Sequence, residues 1–312
     1  MLEPVHDGYL ADPFVLRLPD GTYAAYGSGP PPAEAHPGAR AFDALWSATL
    51  ESWEPRGPVL ERLPADLGED YWAPEVAVAE GGYWMYYSVG HGDHGHHLRV
   101  ARGDGPFGPF RDLGRNLTPE ESFAIDAHPF RDDDGRWYLF FARDILDAER
   151  PGTHLAVAPM TSMTELGPTT AVLAPNADWQ VFQHDRQMYG RRYTWHTLEG
   201  PSVVRRHGRY WLTYSGGAWT GPAYAVSWAT ADHPLGPWRH APAGTAPLLR
   251  TRPGLVGPGH NSLTTAPDGS DVIAFHAWDA AGGKRQMYLE RLVISPRGLS
   301  VPALAGAPSP QH

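Results

Sequence analysis

The chain contains no cysteine, so disulfides, thiolate nucleophiles and Cys-ligated zinc are excluded, and any metal must rest on oxygen or histidine ligands. Lysine is nearly absent as well. Lys284 is the only one, and the 25 basic residues face 35 acidic ones for a net charge of −10. With no polybasic stretch to track phosphates or anionic lipid, neither nucleic acid nor a membrane surface is an expected partner. No window reaches the ~18 apolar residues of a membrane span. The opening residues Met1-Leu2-Glu3-Pro4-Val5-His6-Asp7 lack the basic and apolar regions of a signal peptide, so a cytoplasmic location is the expectation, although a leader already removed would leave the same sequence. Gly 35 and Pro 32 make up about a fifth of the 312 residues and are spread along the chain. Together with 12% aromatic and 42% hydrophobic residues, this favours many short strands joined by tight turns over a helical bundle.

Five segments share one pattern: a polar residue opening an apolar run, a turn with glycine, and an aromatic-rich run. They start at Asp12, Glu75, Asp126, Glu199 and His260, at intervals of 63, 51, 73 and 61 residues. In four copies the opening residue precedes the turn glycine (Gly21, Gly135, Gly208, Gly269) by nine positions; in the Glu75 copy the gap to Gly82 is seven. Each segment predicts a β-hairpin, and further strands follow, as at His97–Arg102 and Tyr224–Ala229, ending in Gly108-Pro109-Phe110 and Gly236-Pro237-Trp238 turns. A unit of this length holds one four-stranded sheet plus loops, so residues 1–312 predict an all-β chain folded as a single five-bladed β-propeller domain. A β-sandwich does not account for a repeat kept in phase to the residue.

In a propeller the same phase of every repeat meets around one axis. That phase holds four acids and a histidine, and clustered carboxylates raise one another's pKa unless they share a proton, a metal or a substrate. Any one of them alone reads more simply as a turn cap; their coincidence in phase points to a site. Two carboxyl groups across an opening are what glycoside hydrolysis requires, a general acid for the leaving oxygen and a base for water. Asp12 and Glu199 are the candidates.

The ordered set Ala11-Asp12-Pro13-Phe14, Tyr71-Trp72-Ala73-Pro74-Glu75, Ile125-Asp126-Ala127-His128-Pro129, Leu198-Glu199-Gly200-Pro201 and Gly257-Pro258-Gly259-His260-Asn261-Ser262 resembles glycoside hydrolase family 43, the five-bladed arabinofuranosidases, arabinanases and β-xylosidases. The resemblance implies that Asp12 is the general base, Glu199 the general acid and Asp126 a third carboxylate that raises the acid's pKa. Related fructan-active propellers carry Arg-Asp-Pro and Glu-Cys-Pro where this chain has Ile-Asp-Ala and Glu-Gly-Pro, which disfavours a retaining mechanism. An inverting enzyme would hold the carboxyls of Asp12 and Glu199 ~6.5–9.5 Å apart. The resemblance also implies no cofactor for catalysis but a structural calcium or sodium ion on the axis, ligated by His260 among waters; a hydrogen-bonded cavity histidine is the other reading of that residue.

Further binding candidates are Trp72, as a stacking face for a sugar; Glu75, toward a hydroxyl or held internally by an arginine; Trp195 and His196, close before Glu199 in sequence; and Arg143 and His276, on returning hairpin strands with Ser28, Ser88 and Ser215. The run His91-Gly92-Asp93-His94-Gly95-His96-His97 has no spacing that fixes a metal geometry and reads as a rim loop. The expected partner is an arabinan- or xylan-derived oligosaccharide. The absence of an added C-terminal sandwich tilts the substrate toward α-L-arabinofuranosides, and the insertion Ala174–Leu198 is expected to fold over the opening and make a pocket for one terminal sugar. Alternatives are a β-xylosidase, an endo-arabinanase or a glycan-binding propeller without catalysis.

Overall fold

The computed structural model describes residues 2–30, 40–245 and 247–304. Each repeat opens with an antiparallel hairpin. The inner strands are Ala11–Arg17, Asp70–Ala79, Ala124–Arg131, Arg191–Arg206 and Val256–Thr265. Their partners are Tyr23–Ser28, Gly82–His91, Trp137–Ile145, Arg209–Gly216 and Asp271–Trp278. Third strands extend each sheet outward: Arg40–Ser47, His94–Gly103, Gly152–Ser162, Ala225–Ala231 and Arg285–Arg291. Blades I to IV carry a short outer strand as well. At blade V the chain's first residues take that place, Val5 and Leu10 donating their N–H groups to Met287 O and Arg285 O, each at 2.9 Å. The result is the expected five-bladed propeller, latched where its two ends meet.

The second strands are apolar on both faces because each blade is packed between two others. In blade II, Met85 and Tyr87 enter the core shared with blade I, while Trp84 and Tyr86 enter the core shared with blade III. The same alternation repeats around the ring, giving one hydrophobic cluster for every pair of adjacent blades, including blades V and I, where Val15 and Tyr23 meet Val272 and Ala274.

Every inner strand bulges at the same place. The pairs Ala11↔Ser28 then Phe14↔Tyr26, Trp72↔Ser88 then Glu75↔Tyr86, Ile125↔Ala142 then His128↔Phe140, Glu199↔Ser215 then Ser202↔Thr213, and Gly259↔His276 then Ser262↔Ala274 each place one extra residue on the inner strand. The first residue after each leading pair has positive φ: Asp12 52°, Ala73 48°, Asp126 62°, Gly200 57° and His260 44°. The backbone phase is therefore Asp12, Ala73, Asp126, Gly200, His260. This corrects the phase expected from sequence. Glu199 stands one residue before its bulge and Glu75 two after; Ala73 restores the gap of nine to its turn glycine, whereas Gly200 lies eight before Gly208.

These bulges tie the ring together. The N–H of Ala73 donates to Ser28 Oγ of the preceding blade (2.9 Å), Asp126 to Ser88 Oγ (3.0 Å), His260 to Ser215 Oγ (2.7 Å) and Asp12 to His276 Nδ1 (3.0 Å). In blade III the equivalent second-strand residue is Ala142, which has no acceptor. There the Gly200 N–H turns instead to Asp126 Oδ2, at 2.9 Å. A buried N–H left without a partner costs about 1–3 kcal/mol, so each blade boundary needs one such acceptor.

Candidate active site

The bulges aim Asp12, Asp126, Glu199 and His260 into one cavity of about 430 Å³, whose wall also includes Trp72 and Arg285. Asp12 and Asp126 are buried and Glu199 is half-buried. Burial by itself raises the pKa of a carboxyl group, so the neighbours decide each outcome.

For Asp12, burial is opposed and outweighed by cations. Arg285 Nη1 lies 3.2 Å and His260 Nδ1 3.4 Å from Asp12 Oδ1, and the carboxyl is held well below the usual range. Asp12 is ionised. For Glu199, burial is reinforced by the negative charge of Asp126, and its carboxyl is pushed up to about 7 even though the Tyr224 hydroxyl donates to Oε1. Asp126 is also raised, by burial first, but His260 and the Gly200 N–H both favour its charged form. Of this coupled pair, Asp126 takes the charge and Glu199 keeps the proton. Burial lowers the pKa of His260, yet the surrounding carboxylates raise it overall; its Nδ1 faces Asp12 and Asp126, 4.0 Å from Asp126 Oδ2. The cavity thus pairs a carboxyl held ionised with one held protonated.

Arg285, Tyr224 and Trp219 were missed by sequence reasoning. Arg285 begins a third strand, while Tyr224 and Trp219 lie in the segment joining Gly216 to Ala225, outside the hairpin repeat that made the other residues visible. The Arg285 guanidinium lies over Trp219 (4.6 Å), Tyr9 (5.7 Å) and Trp278 (5.9 Å), an aromatic enclosure that fixes it against Asp12. Gly259 is required beside Tyr224, because a Cβ there would occupy the tyrosine ring.

The other sequence candidates disperse. Trp72 lines the cavity; Glu75, Arg143, Trp195, His196 and His276 are not among its lining residues. Glu75, lying past the bulge, meets no arginine: it accepts from His128 Nδ1 at 2.6 Å, and His128 Nε2 accepts the Val203 N–H at 3.0 Å, which fastens blade II to III and III to IV. Arg143 misses the opening by one residue, since Ala142 is the bulge partner, and it pairs with Glu121 at 2.7 Å. His276 is fully buried, held neutral by burial and by Arg285, and supports the Asp12 backbone. Trp195 and His196 lie on the inner strand where it runs outward, about 10 Å from Glu199 at ~3.3 Å per residue. They pack against Tyr189 and Arg150.

The insertion does not roof the cavity. Val181–Met188 pairs with the start of the inner strand of blade IV, and no residue from 174 to 198 lines the wall. His260 Nδ1 is turned to Asp12 and Asp126, so an axial ion held by this histidine among waters would rest on Nε2; among the described residues no group of three or more His, Asp or Glu side chains is arranged to hold an ion.

Comparison with known proteins follows the geometry. Residues 1–299 match the family described as Glycosyl hydrolases family 43. The chain is similar to the beta-D-galactofuranosidase xynD of Aspergillus niger, 30% identical, over 96% of this chain and 84% of that protein. It is also similar to the extracellular exo-alpha-(1->5)-L-arabinofuranosidase of Streptomyces chartreusis, 30% identical, over 68% of this chain and 64% of that protein. Among solved structures, a thermostable family-43 glycoside hydrolase superposes with a TM-score of 0.82 at 28% identity, covering 100% of this chain and 98% of its own. On the match over residues 1–299, the chain belongs to family 43 of the glycosyl hydrolases and is a glycoside hydrolase.

Proposed function

We infer that the protein releases terminal α-L-arabinofuranosyl units from arabinan-type oligosaccharides, with inversion at the anomeric carbon. The observation that carries this reading is the opposite proton affinity of two carboxyls on one cavity, Asp12 held down and Glu199 raised to about 7. Asp12 takes a proton from water as the water attacks the anomeric carbon, while Glu199 delivers its proton to the departing glycosidic oxygen. Turnover leaves the proton on Asp12 and the charge on Glu199; exchange with solvent restores both. Asp126 keeps the proton on Glu199 before the step, and the Tyr224 hydroxyl donates to the carboxylate formed after it.

The terminal mode of attack is supported by the cavity, which at about 430 Å³ lies toward the small end of the ~300–1,000 Å³ typical of sites that enclose a small molecule. The arabinosyl assignment is supported by the similarity to the Streptomyces enzyme named above. A second reading, a β-D-galactofuranosidase, is favoured by the Aspergillus relative, whose similarity covers nearly the whole chain. The two glycosides share ring stereochemistry and differ by one exocyclic carbon. The test is a panel of 4-nitrophenyl α-L-arabinofuranoside, β-D-galactofuranoside and β-D-xylopyranoside, followed by digestion of arabino-oligosaccharides with the product anomer read by NMR. Single L-arabinose units of inverted configuration are expected. Faster release from the galactofuranoside or the xyloside reassigns the substrate, mixed-length products mean endo action, and sugar binding without cleavage means a lectin.

A further inference from the structure

The histidine-rich loop of blade II, which the catalytic scheme does not use, joins the site from behind. His91 and His94 are exposed, but His96 is buried, 1% exposed, with its ring stacked on the Trp72 indole at 3.6 Å between centroids and 19° between planes. Its other neighbour is Phe123, edge-on at 5.6 Å. Trp72 thus gives the cavity one part of its surface and His96 another.

Three details show that this stack is built. His96 Nε2 lies 2.8 Å from the Gly92 carbonyl, which accepts its proton, so Nδ1 carries none, and Nδ1 is buried with no partner among the described residues. The ring thus makes one hydrogen bond, to its own loop, and offers its flat face to Trp72. Gly90 has no Cβ where one would come within 2.5 Å of the His96 ring. The loop is pinned on two sides, by the Gly92 N–H to Asp70 Oδ2 (2.6 Å) and by Arg186, from the hairpin of the insertion, to Asp93 Oδ2 (2.7 Å). Arg186 is itself held over Phe182 (4.6 Å) and Trp195 (5.3 Å). A path runs from the insertion through Arg186 to Asp93, along the backbone to the Gly92 carbonyl, and from there through His96 to Trp72.

We propose that His96 is a positioning residue for sugar binding: it backs Trp72 and fixes the angle of the indole, and the Ala174–Leu198 insertion braces that support from outside the cavity. This rests on the reading of Trp72 as a sugar-stacking face. A backing ring lowers the cost of ordering the indole when a sugar docks, so it acts on binding rather than on the chemical step.

The test uses His96→Phe, which keeps a flat ring and gives up the hydrogen bond to Gly92, and His96→Asn, which gives up the ring. On the aryl glycoside the protein cleaves best, His96→Asn is expected to raise KM about five- to tenfold with kcat within twofold, and His96→Phe to stay within twofold of the parent in both. Arg186→Ala is expected to raise KM about two- to threefold. A crystal structure of His96→Asn should show the Trp72 indole turned from its parent angle, a readout independent of activity. An unmoved indole, an unchanged KM in His96→Asn, or equal losses in the Phe and Asn variants overturn the proposal. Trp72→Ala separates the two layers. If it leaves KM unchanged, the stacking face itself is wrong; if it raises KM while His96→Asn does not, the backing role alone fails.

Discussion

Asp12 and Glu199 occupy opposite electrostatic halves of one cavity. Desolvation is the largest influence on each, pushing both upward. On the side of blades V and I, the Arg285 guanidinium and the His260 ring overturn that push; on the side of blades III and IV, a second carboxylate adds to it. Burial creates a large energy for the neighbours to redirect, and the identity of those neighbours, not depth, assigns base and acid.

The comparison breaks most severely when either group loses its ability to exchange a proton. Asp12→Asn and Glu199→Gln should each lower kcat by about 10²–10⁴-fold, the usual contribution of a general acid or base, while circular dichroism and melting remain those of a folded protein. The acid variant should recover partly on aryl glycosides with good leaving groups, which need little protonation, and the base variant should not. Near-parental turnover in either variant refutes the assignment.

Exchanging the neighbours rather than the groups sharpens the comparison. The acid must be protonated, so activity should fall as pH rises through about 7. In Asp126→Asn, Glu199 loses the negative charge that holds its proton, and the alkaline limb of kcat/KM should move to lower pH, costing on the order of tenfold at neutral pH. In Arg285→Met, Asp12 loses its strongest cation, and the acid limb should move to higher pH. A pH profile in which both variants shift the same limb would show that the two halves are not independent.

A smaller effect appears in stability. Glu199 titrates at 4.5 as an ordinary glutamate and about 7 in the folded chain. Because the folded value is the higher one, its contribution is full below pH 4.5 and is lost as pH rises through about 7. Glu199→Gln should therefore melt at the parent's temperature at pH 4 and be more stable at pH 8, by about 1–3 kcal/mol. Equal melting temperatures at pH 8 would mean that Glu199 carries no stored desolvation. The smallest expected effect is that of chelation. If an axial ion rests on His260, prolonged treatment with a chelator should lower the melting temperature, calcium should restore it, and His260→Ala should abolish the response; an unchanged melting temperature would leave His260 a cavity residue without an ion.

The five blades and the three carboxylates were legible in the sequence because they lie on the hairpin, the part of each blade that repeats. The turn glycines kept the count, and the paired cores imposed the aromatic runs of the second strands. What was not legible lies off that repeat. Arg285 comes from a third strand and Tyr224 from the segment before one, and neither has a spacing that ties it to the axis. Glu75 and Arg143 were misjudged by two residues and one, because a bulge reverses the direction of a side chain without leaving a fixed mark in composition. Trp195 and His196 show the related error, since nearness to Glu199 along an extended strand is distance in space. His96 had been grouped with its exposed neighbours in the loop, and only packing against Trp72 distinguishes it.

The latch at blade V has a consequence in time. His6 bridges Met287, so nearly the whole chain must leave the ribosome before the first residues meet their partner. At roughly 5–20 residues per second that wait is on the order of a quarter of a minute to a minute. During it, blade I has a neighbour on one side only, and the face carrying Val15 and Tyr23 waits uncovered until Val272 and Ala274 arrive. The nascent protein is an open arc with a sticky leading edge, and its exposure to misassembly ends with the last blade to be made.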